Sequence, residues 1–235
     1  DKSAVDFLEQ FNPSAYKIAS FEITDYELIR HTASKRKPIL ISTGIATIDE
    51  IQDVVDICKS VGNHEIILLK CTSAYPAAFE DANLLTIPNL AQTFGVVAGF
   101  SDHTLGTAIP LASVALGVCL IEKHFTLDKN MEGWDHKVSA TKDEMEIIVE
   151  GSKRINEAMG SFRITATETE EKKQEFRRSI VLTRDMKKGE IISYEDIDYK
   201  RPGTGIKPEM TDFVIGRTLN KDLKYDYILT KEDII

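Results

Sequence analysis

The stretch GVVAGFSDHTLGTAIP, residues Gly95 to Pro110, decides how the chain is expected to fold. It begins as a short apolar run of the kind that forms a buried strand, and this run ends in the polar triplet Ser101, Asp102 and His103. A segment of small apolar residues with helical spacing follows. Strand, polar turn and helix together make one βα unit, and the polar triplet lies where the strand ends.

The same unit recurs along the chain. Four more apolar runs rich in β-branched residues are predicted to be buried strands: AYKIAS, PILIST, EIILLKCTS and VCLIEKHFT. Helix-period segments separate them, and Thr47 and Thr141 are expected to cap two of these helices. Repeated βα units predict a parallel sheet, either an open doubly wound sheet or part of a (β/α)8 TIM barrel.

Polar residues after successive strands favour the barrel, since the carboxyl ends of barrel strands share one mouth. These residues are Ser20 and Glu22, Ser42 and Thr43, Thr72 and Ser73, Ser101 to His103, and His124 and Thr126.

The chain divides into three parts by composition. Residues 1–160 carry the βα pattern, and the polar, charged residues 161–178 are expected to be a linker with some helix or a solvated helical face. Residues 179–235 alternate short strands with turns, which predicts a separate small β-rich domain. Only about five βα units precede residue 160, so we expect a partial barrel whose first strands are missing.

Composition excludes several classes of function. The 235 residues are 42% hydrophobic and carry a net charge of -9, which gives no electrostatic reason to bind nucleic acid or an anionic membrane. Neither a signal peptide nor a spanning segment is visible, so a cytoplasmic protein is expected. Cys58, Cys71 and Cys119 lie in apolar runs and are expected to be buried free thiols.

His103 and His124 follow consecutive predicted strands, so both imidazoles would point into the mouth of a barrel. Two histidines with a carboxylate from Glu122 or Asp135 would suit Mn²⁺, Fe²⁺, Co²⁺ or Zn²⁺. The alternative is that each histidine is a hydrogen-bonded structural residue.

Lys17 interrupts an apolar strand, where an unpaired ammonium is costly and calls for a partner. It could hold a phosphate or carboxylate, form a Schiff base, or simply extend toward water. Ser20 and Ser101 are hydroxyl donors at equivalent strand ends and suit an anionic ligand.

Several motifs in this order resemble those of the nonulosonic (sialic) acid synthase family. They are KIASFE, ILISTG, KCTSAYP, GFSDHT, EKHFT, the aspartate of GWDHK, and KRPGTG. The resemblance implies a (β/α)8 barrel followed by an antifreeze-like (SAF) domain. It also implies a transferase that condenses phosphoenolpyruvate with N-acetylmannosamine or a related diacetamido hexose and water. The products would be a nonulosonic acid and phosphate, with cleavage of a C–O bond.

The resemblance assigns roles to residues of the expected mouth. His103 and His124 would bind a divalent ion, Mn²⁺ before Mg²⁺ or Co²⁺, and His103 and Lys17 would be catalytic. Lys17, Ser20 and Ser101 would hold the carboxylate and phosphate of phosphoenolpyruvate.

Further roles concern the amino sugar. Glu22 would be a catalytic residue that, like Asp135, orients the sugar hydroxyls or moves a proton, and Tyr75 would line the sugar pocket. Arg201 would reach the mouth of the other subunit in a domain-exchanged homodimer.

The sequence departs from the family pattern at three places. Ser73 stands where part of the family has an asparagine that contacts phosphoenolpyruvate, and Trp134 stands where a proline is common. The family also places a catalytic glutamate and a phosphoenolpyruvate-binding lysine on the first strands. We therefore expect the chain to be part of a longer protein and to show no turnover by itself.

Three alternatives remain open at this point. The first is another phosphoenolpyruvate-dependent 3-deoxy-sugar-acid synthase, although the appended β-rich domain argues against it. The second is a non-catalytic carbohydrate-binding fragment, and the third is a metal-dependent aldolase or isomerase that uses Lys17 as a Schiff base.

Overall fold

Residues 1–161 fold around one curled parallel sheet of five strands, which is part of a (β/α)8 barrel as the sequence predicts. The computed structural model describes residues 1–235 in two compact units, 1–161 and 162–235. Strand order in the sheet follows the chain, and every neighbouring pair is parallel. The strands are β1 (Tyr16–Ile18), β2 (Ile39–Ser42), β3 (Ile66–Cys71), β4 (Val97–Asp102) and β5 (Ile121–Lys123).

A helix follows or precedes each strand. Both predicted caps are confirmed: Thr47 and Thr141 accept hydrogen bonds from the backbone amides of Glu50 and Glu144, whose side chains bond back to the cap amides. The helices are α1 (Lys2–Glu9), α2 (Tyr26–Ala33), α3 (Ile48–Ser60), α4 (Thr86–Phe94), α5 (Ala108–Val114) and α6 (Lys142–Met159). No helix in the structure has the length and apolar character needed to cross a membrane.

The core lies where α2, α3 and α4 cover β1 to β4, and it includes the fully buried Ile39, Ile41 and Leu68. The expectation that all five strands are buried is wrong for β5, each of whose residues is partly exposed. β5 is the last strand of the sheet and has a named strand on one side only. Cys119, just before it, is exposed, whereas Cys58 and Cys71 are buried free thiols as expected.

The second unit has less regular structure than its sequence pattern suggests. It contains helix α7 (Glu170–Phe176), capped by Thr169, and the antiparallel pair β6 (Ser179–Leu182) and β7 (Ile197–Lys200). A short helix, α8 (Thr211–Val214), and three 3-10 turns complete it. Most other pairing consists of single-residue bridges, because the turns recur too closely for longer strands.

An internal repeat organises this small unit. LTRDMKKGEIISYEDI from Leu182 and LNKDLKYDYILTKEDI from Leu219 match at equal spacing. Corresponding aspartates make reciprocal contacts: Asp185 accepts hydrogen bonds from Lys224 Nζ and the Tyr225 amide, and Asp222 accepts them from Lys187 Nζ and the Lys188 amide. Reciprocal hydrogen bonds and ion pairs therefore join the two repeats.

A buried carboxylate ends each repeat. The side chain of Asp233 is fully buried, 2.6 Å from Lys221 Nζ, and it accepts hydrogen bonds from Thr230. Burial by itself raises the pKa of Asp233, but the contacts from Lys221 and Thr230 outweigh burial and lower it. Asp196, its counterpart, also has a lowered pKa, since its bonds to Ser193 and Arg184 outweigh burial.

We expect Asp233→Asn to reduce the loss of stability that the second unit shows as the pH falls. The folded pKa lies below the unfolded value of about 3.9, so this stabilisation is complete above that value and disappears as pH falls through the folded pKa. Calorimetric melting from pH 6 to pH 2 should show a shallower loss of Tm in the variant than in the wild type. The exposed Asp198→Asn is the control, and equal pH dependence in all three proteins would contradict the assignment.

Candidate functional site

One pocket of about 290 Å³ lies at the carboxyl ends of the strands. Every strand contributes to its lining: Lys17 from β1, Ser42 from β2, Cys71 from β3, Ser101 from β4, and Glu122 and Lys123 from β5. The segments that follow the strands supply the rest: Ala19, Ser20, Phe21, Tyr75, His103 and His124. Six residues selected from the sequence therefore share this pocket: Lys17, Ser20, Tyr75, Ser101, His103 and His124.

The two histidines lie side by side beneath one tyrosine. The ring centroids of His103 and His124 are 5.3 Å apart, and the Tyr75 ring lies 4.2 Å from His103 and 5.7 Å from His124. His103 is almost fully buried, so its ring cannot turn freely. The spacing predicted from consecutive strand ends is present in the structure.

The Nδ1 atoms of both rings already face oxygen atoms. Nδ1 of His103 donates a hydrogen bond to the Thr72 carbonyl at 2.8 Å, which leaves its Nε2 with a free lone pair. Nδ1 of His124 lies 3.6 Å from Asp135 Oδ2. Contacts of this type on the far nitrogen are typical of metal-ligating histidines.

The donor set fits a divalent ion held by two imidazoles. No group of three or more His, Cys, Asp or Glu side chains is placed to hold a metal ion. Ions such as Mn²⁺ or Mg²⁺ commonly keep several waters or substrate oxygens, so two protein ligands would leave such positions open.

A thiol that sequence analysis placed only in the core forms the floor of the pocket. Cys71 Sγ lies 3.8 Å from Nδ1 of His103. Burial raises the pKa of Cys71. Hydrogen bonds with His103, Ser20 and Ser101 lower this pKa by more than burial raises it, so the net shift is downward. The pKa of His103 is correspondingly raised, because the contacts with Cys71 and the Thr72 carbonyl outweigh its burial.

Lys17 has the partner that its place in an apolar strand requires. Its Nζ donates to the Ile18 carbonyl at 3.0 Å and lies 3.5 Å from Glu122 Oε2. That carboxylate oxygen is buried and accepts no hydrogen bond. Lysine and glutamate therefore form a loose pair across the pocket, and each can take a hydrogen-bonding ligand.

Gly44 leaves space for the hydroxyl groups of two other segments, those of Ser20 and Ser73, beside its own backbone. The Gly44 amide donates to Ser20 Oγ at 3.1 Å. A Cβ atom at Gly44 would lie 2.5 Å from Ser73 Oγ and 3.0 Å from Ser20 Oγ, so no side chain fits there without displacing them. Ser73 thus adjoins the pocket without lining it.

Besides Ser73, three selected residues are not in the pocket lining. Glu22 belongs to a 3-10 turn after β1 and is exposed, because the turn breaks the alternation that would have aimed it beside Ser20. Asp135 is an exposed residue that reaches only His124. Arg201 lies in the second unit, where its Nε donates to the Phe176 carbonyl at 2.9 Å.

Two family models match this chain, one after the other. Residues 1–163 match the model of the NeuB family, and residues 177–235 match the model of the SAF domain.

Individual relatives extend this match over the whole chain. A pseudaminic acid synthase of Campylobacter jejuni is 41% identical over 232 residues, covering 99% of this chain and 68% of that protein. The N,N'-diacetyllegionaminic acid synthase of the same species is 39% identical, covering 97% and 70%. The crystal structure of the spore coat polysaccharide biosynthesis protein spsE from Bacillus subtilis superposes with a TM-score of 0.65 at 35% identity, covering 100% of this chain and 71% of that one.

We expect Glu122→Gln to strengthen the binding of inorganic phosphate by up to about fivefold, because it removes an anion that competes for Lys17 across a partly exposed pair. Lys17→Met should weaken it. Titration calorimetry in metal-free buffer measures both changes. Glu9→Gln, which breaks the comparable pair with Lys37, is the control, and unchanged phosphate affinity in Lys17→Met would contradict the assignment.

Proposed function

The chain belongs to the NeuB family, and from that premise we propose that its pocket binds phosphoenolpyruvate beside a divalent ion for condensation with an N-acetylated amino sugar. The observation that carries this proposal is the meeting of a lysine, two serines and two histidines in one pocket. In the proposed reaction the methylene carbon of phosphoenolpyruvate joins the aldehyde carbon of the open-chain sugar. Water adds to C2, and phosphate leaves with cleavage of the C2–O bond.

The anionic substrate would lie over β1 and β4. Lys17 supplies positive charge, and Ser20 and Ser101 supply hydroxyl donors to the same pocket. Charge-assisted hydrogen bonds of this kind are stronger than neutral ones and would fix the direction of the methylene carbon. Glu122, opposite Lys17, would exchange its loose ion pair for a contact with the substrate or with water.

His103 and His124 would hold the ion, with Mn²⁺ favoured over Mg²⁺ or Co²⁺. An ion bound there would supply Lewis-acid polarisation of the aldehyde oxygen. Thr72 and Asp135, on the far side of the rings, would keep both imidazoles aimed at it. Tyr75 would cover the two rings and limit access of water.

The acceptor would lie toward the outer rim of the pocket. Asp135 stands there and would orient a sugar hydroxyl, and Glu22 would do so or move a proton only if its turn rearranged. Arg201 would contact the acyl group from the other subunit of a domain-exchanged homodimer. A doubly acetylated sugar is favoured, since one relative is named an N,N'-diacetyllegionaminic acid synthase.

Binding of each substrate tests this function, because binding can be measured without turnover. We expect phosphoenolpyruvate to bind in the presence of Mn²⁺ and a diacetamido hexose to bind after it, with N-acetylmannosamine as the comparison sugar. Ser101→Ala should weaken the binding of phosphoenolpyruvate, and Arg201→Ala should weaken only the binding of the sugar. No phosphoenolpyruvate binding to the wild type at millimolar concentration would overturn the proposal.

His103→Ala and His124→Ala should each abolish measurable Mn²⁺ binding while leaving the circular dichroism spectrum and Tm near wild type. The reason is that a site with two protein ligands cannot keep its affinity after losing one of them. Electron paramagnetic resonance of free Mn²⁺ gives the affinity. His136→Ala, which removes a neighbouring imidazole bonded to Thr126, is the matched control, and unchanged Mn²⁺ binding in both site variants would refute the ligand assignment.

A further inference from the structure

A buried ion pair joins the ends of β4 and β5 at the edge of the pocket, which Lys123 helps to line. Lys123 Nζ lies 2.6 Å from Asp102 Oδ2, with the lysine side chain 2% exposed and the aspartate side chain 0% exposed. The lysine also donates to the Thr104 carbonyl at 2.7 Å. The two strand ends are therefore joined by an ion pair between a lysine and an aspartate.

The pair precedes both histidines by one residue. Asp102 and Lys123 are register partners in the parallel pairing of β4 with β5, so the next residues along the two strands are His103 and His124. Side chains alternate across a strand, and for this reason Asp102 points away from the pocket that Ser101 and His103 line.

The same aspartate also fixes the backbone that carries His103. Its Oδ1 accepts hydrogen bonds from the Thr104 amide at 2.9 Å and from Thr104 Oγ1 at 2.8 Å. These bonds close a turn across His103, while Oδ2 is occupied by Lys123. One carboxylate thus sets the position of one imidazole and links it to the strand that carries the other.

We propose that the Asp102–Lys123 pair sets the separation of His103 and His124 and thereby the affinity of the two-imidazole site for a divalent ion. The inference rests on the proposed ion site. Asp102 and Lys123 are positioning residues, since they would act on an ion through His103 and His124 and not as its ligands. Replacement of a buried ion pair by apolar side chains of similar volume is often neutral for stability, so the pair is weak evidence of a stabilising role. Directed hydrogen bonds to Thr104 do explain the buried charges.

The decisive protein is the double variant Asp102→Asn/Lys123→Met, which changes both side-chain volumes little, removes both charges together and leaves an Oδ1 atom to accept the hydrogen bonds from Thr104. We expect a Tm close to wild type and an Mn²⁺ affinity weakened by about 10- to 100-fold, the usual effect of losing groups that orient metal ligands. The single variant Lys123→Met should lower the Tm as well, because it leaves Asp102 buried without its cation. Paramagnetic resonance of free Mn²⁺ on the whole chain gives the affinities.

Two further variants separate the outcomes. Lys129→Met removes a less buried ion pair with Glu144 that does not join the two strand ends, and it should leave Mn²⁺ affinity unchanged. Thr104→Val, which removes one hydrogen bond to Asp102, replaces the double variant if that protein does not fold. A folded variant that weakens Mn²⁺ binding fivefold or more supports the inference, and a smaller change overturns it. If His103→Ala binds Mn²⁺ as the wild type does, the proposed ion site itself fails.

Discussion

The register of the parallel strands is the constraint on which the site depends. Cys71, Ser101 and Glu122 are successive register partners across β3, β4 and β5, so they form one row along the floor of the pocket. Because side chains alternate along a strand, a slip of one residue in any pair would move a member of this row to the other face. Gly99 allows the neighbouring strands to approach closely in this register, because a Cβ atom there would lie 2.5 Å from Leu69 Cδ2 and 2.9 Å from the Leu120 carbonyl oxygen.

The floor row also determines the electrostatics of the pocket. Buried Cys71 has a lowered pKa and His103 a raised one, since each stabilises the charged form of the other against burial. Cys58, equally buried but among apolar side chains in α3, has its pKa raised to about 11 because burial alone acts on it. Two thiols that look alike in sequence therefore differ chemically, and the difference arises entirely from what the strand register places beside Cys71.

Sequence predicts the strands and their polar ends well, because apolar runs and parallel order together require the strand ends to meet. It predicts side-chain direction less well once a strand has ended. Ser20 and Glu22 look equivalent in spacing, yet a 3-10 turn places Ser20 inside and Glu22 outside. The partial exposure of β5 is likewise not encoded in its own apolar residues. The roles of Asp102 and Lys123 also become visible only in the register.

A pocket that is to hold an anion beside a cation must keep its own charges from cancelling. Its two lysines meet this requirement in different ways. Lys123 is committed to Asp102 at 2.6 Å in a dry environment, where separation of the charges is costly, so this pair serves geometry. Lys17 faces Glu122 at 3.5 Å in a partly exposed setting, where an ion pair is weak, and it can exchange partners. Burial thus gives the two lysines different roles. Lys123 fixes the geometry of the site, and Lys17 remains available to a ligand.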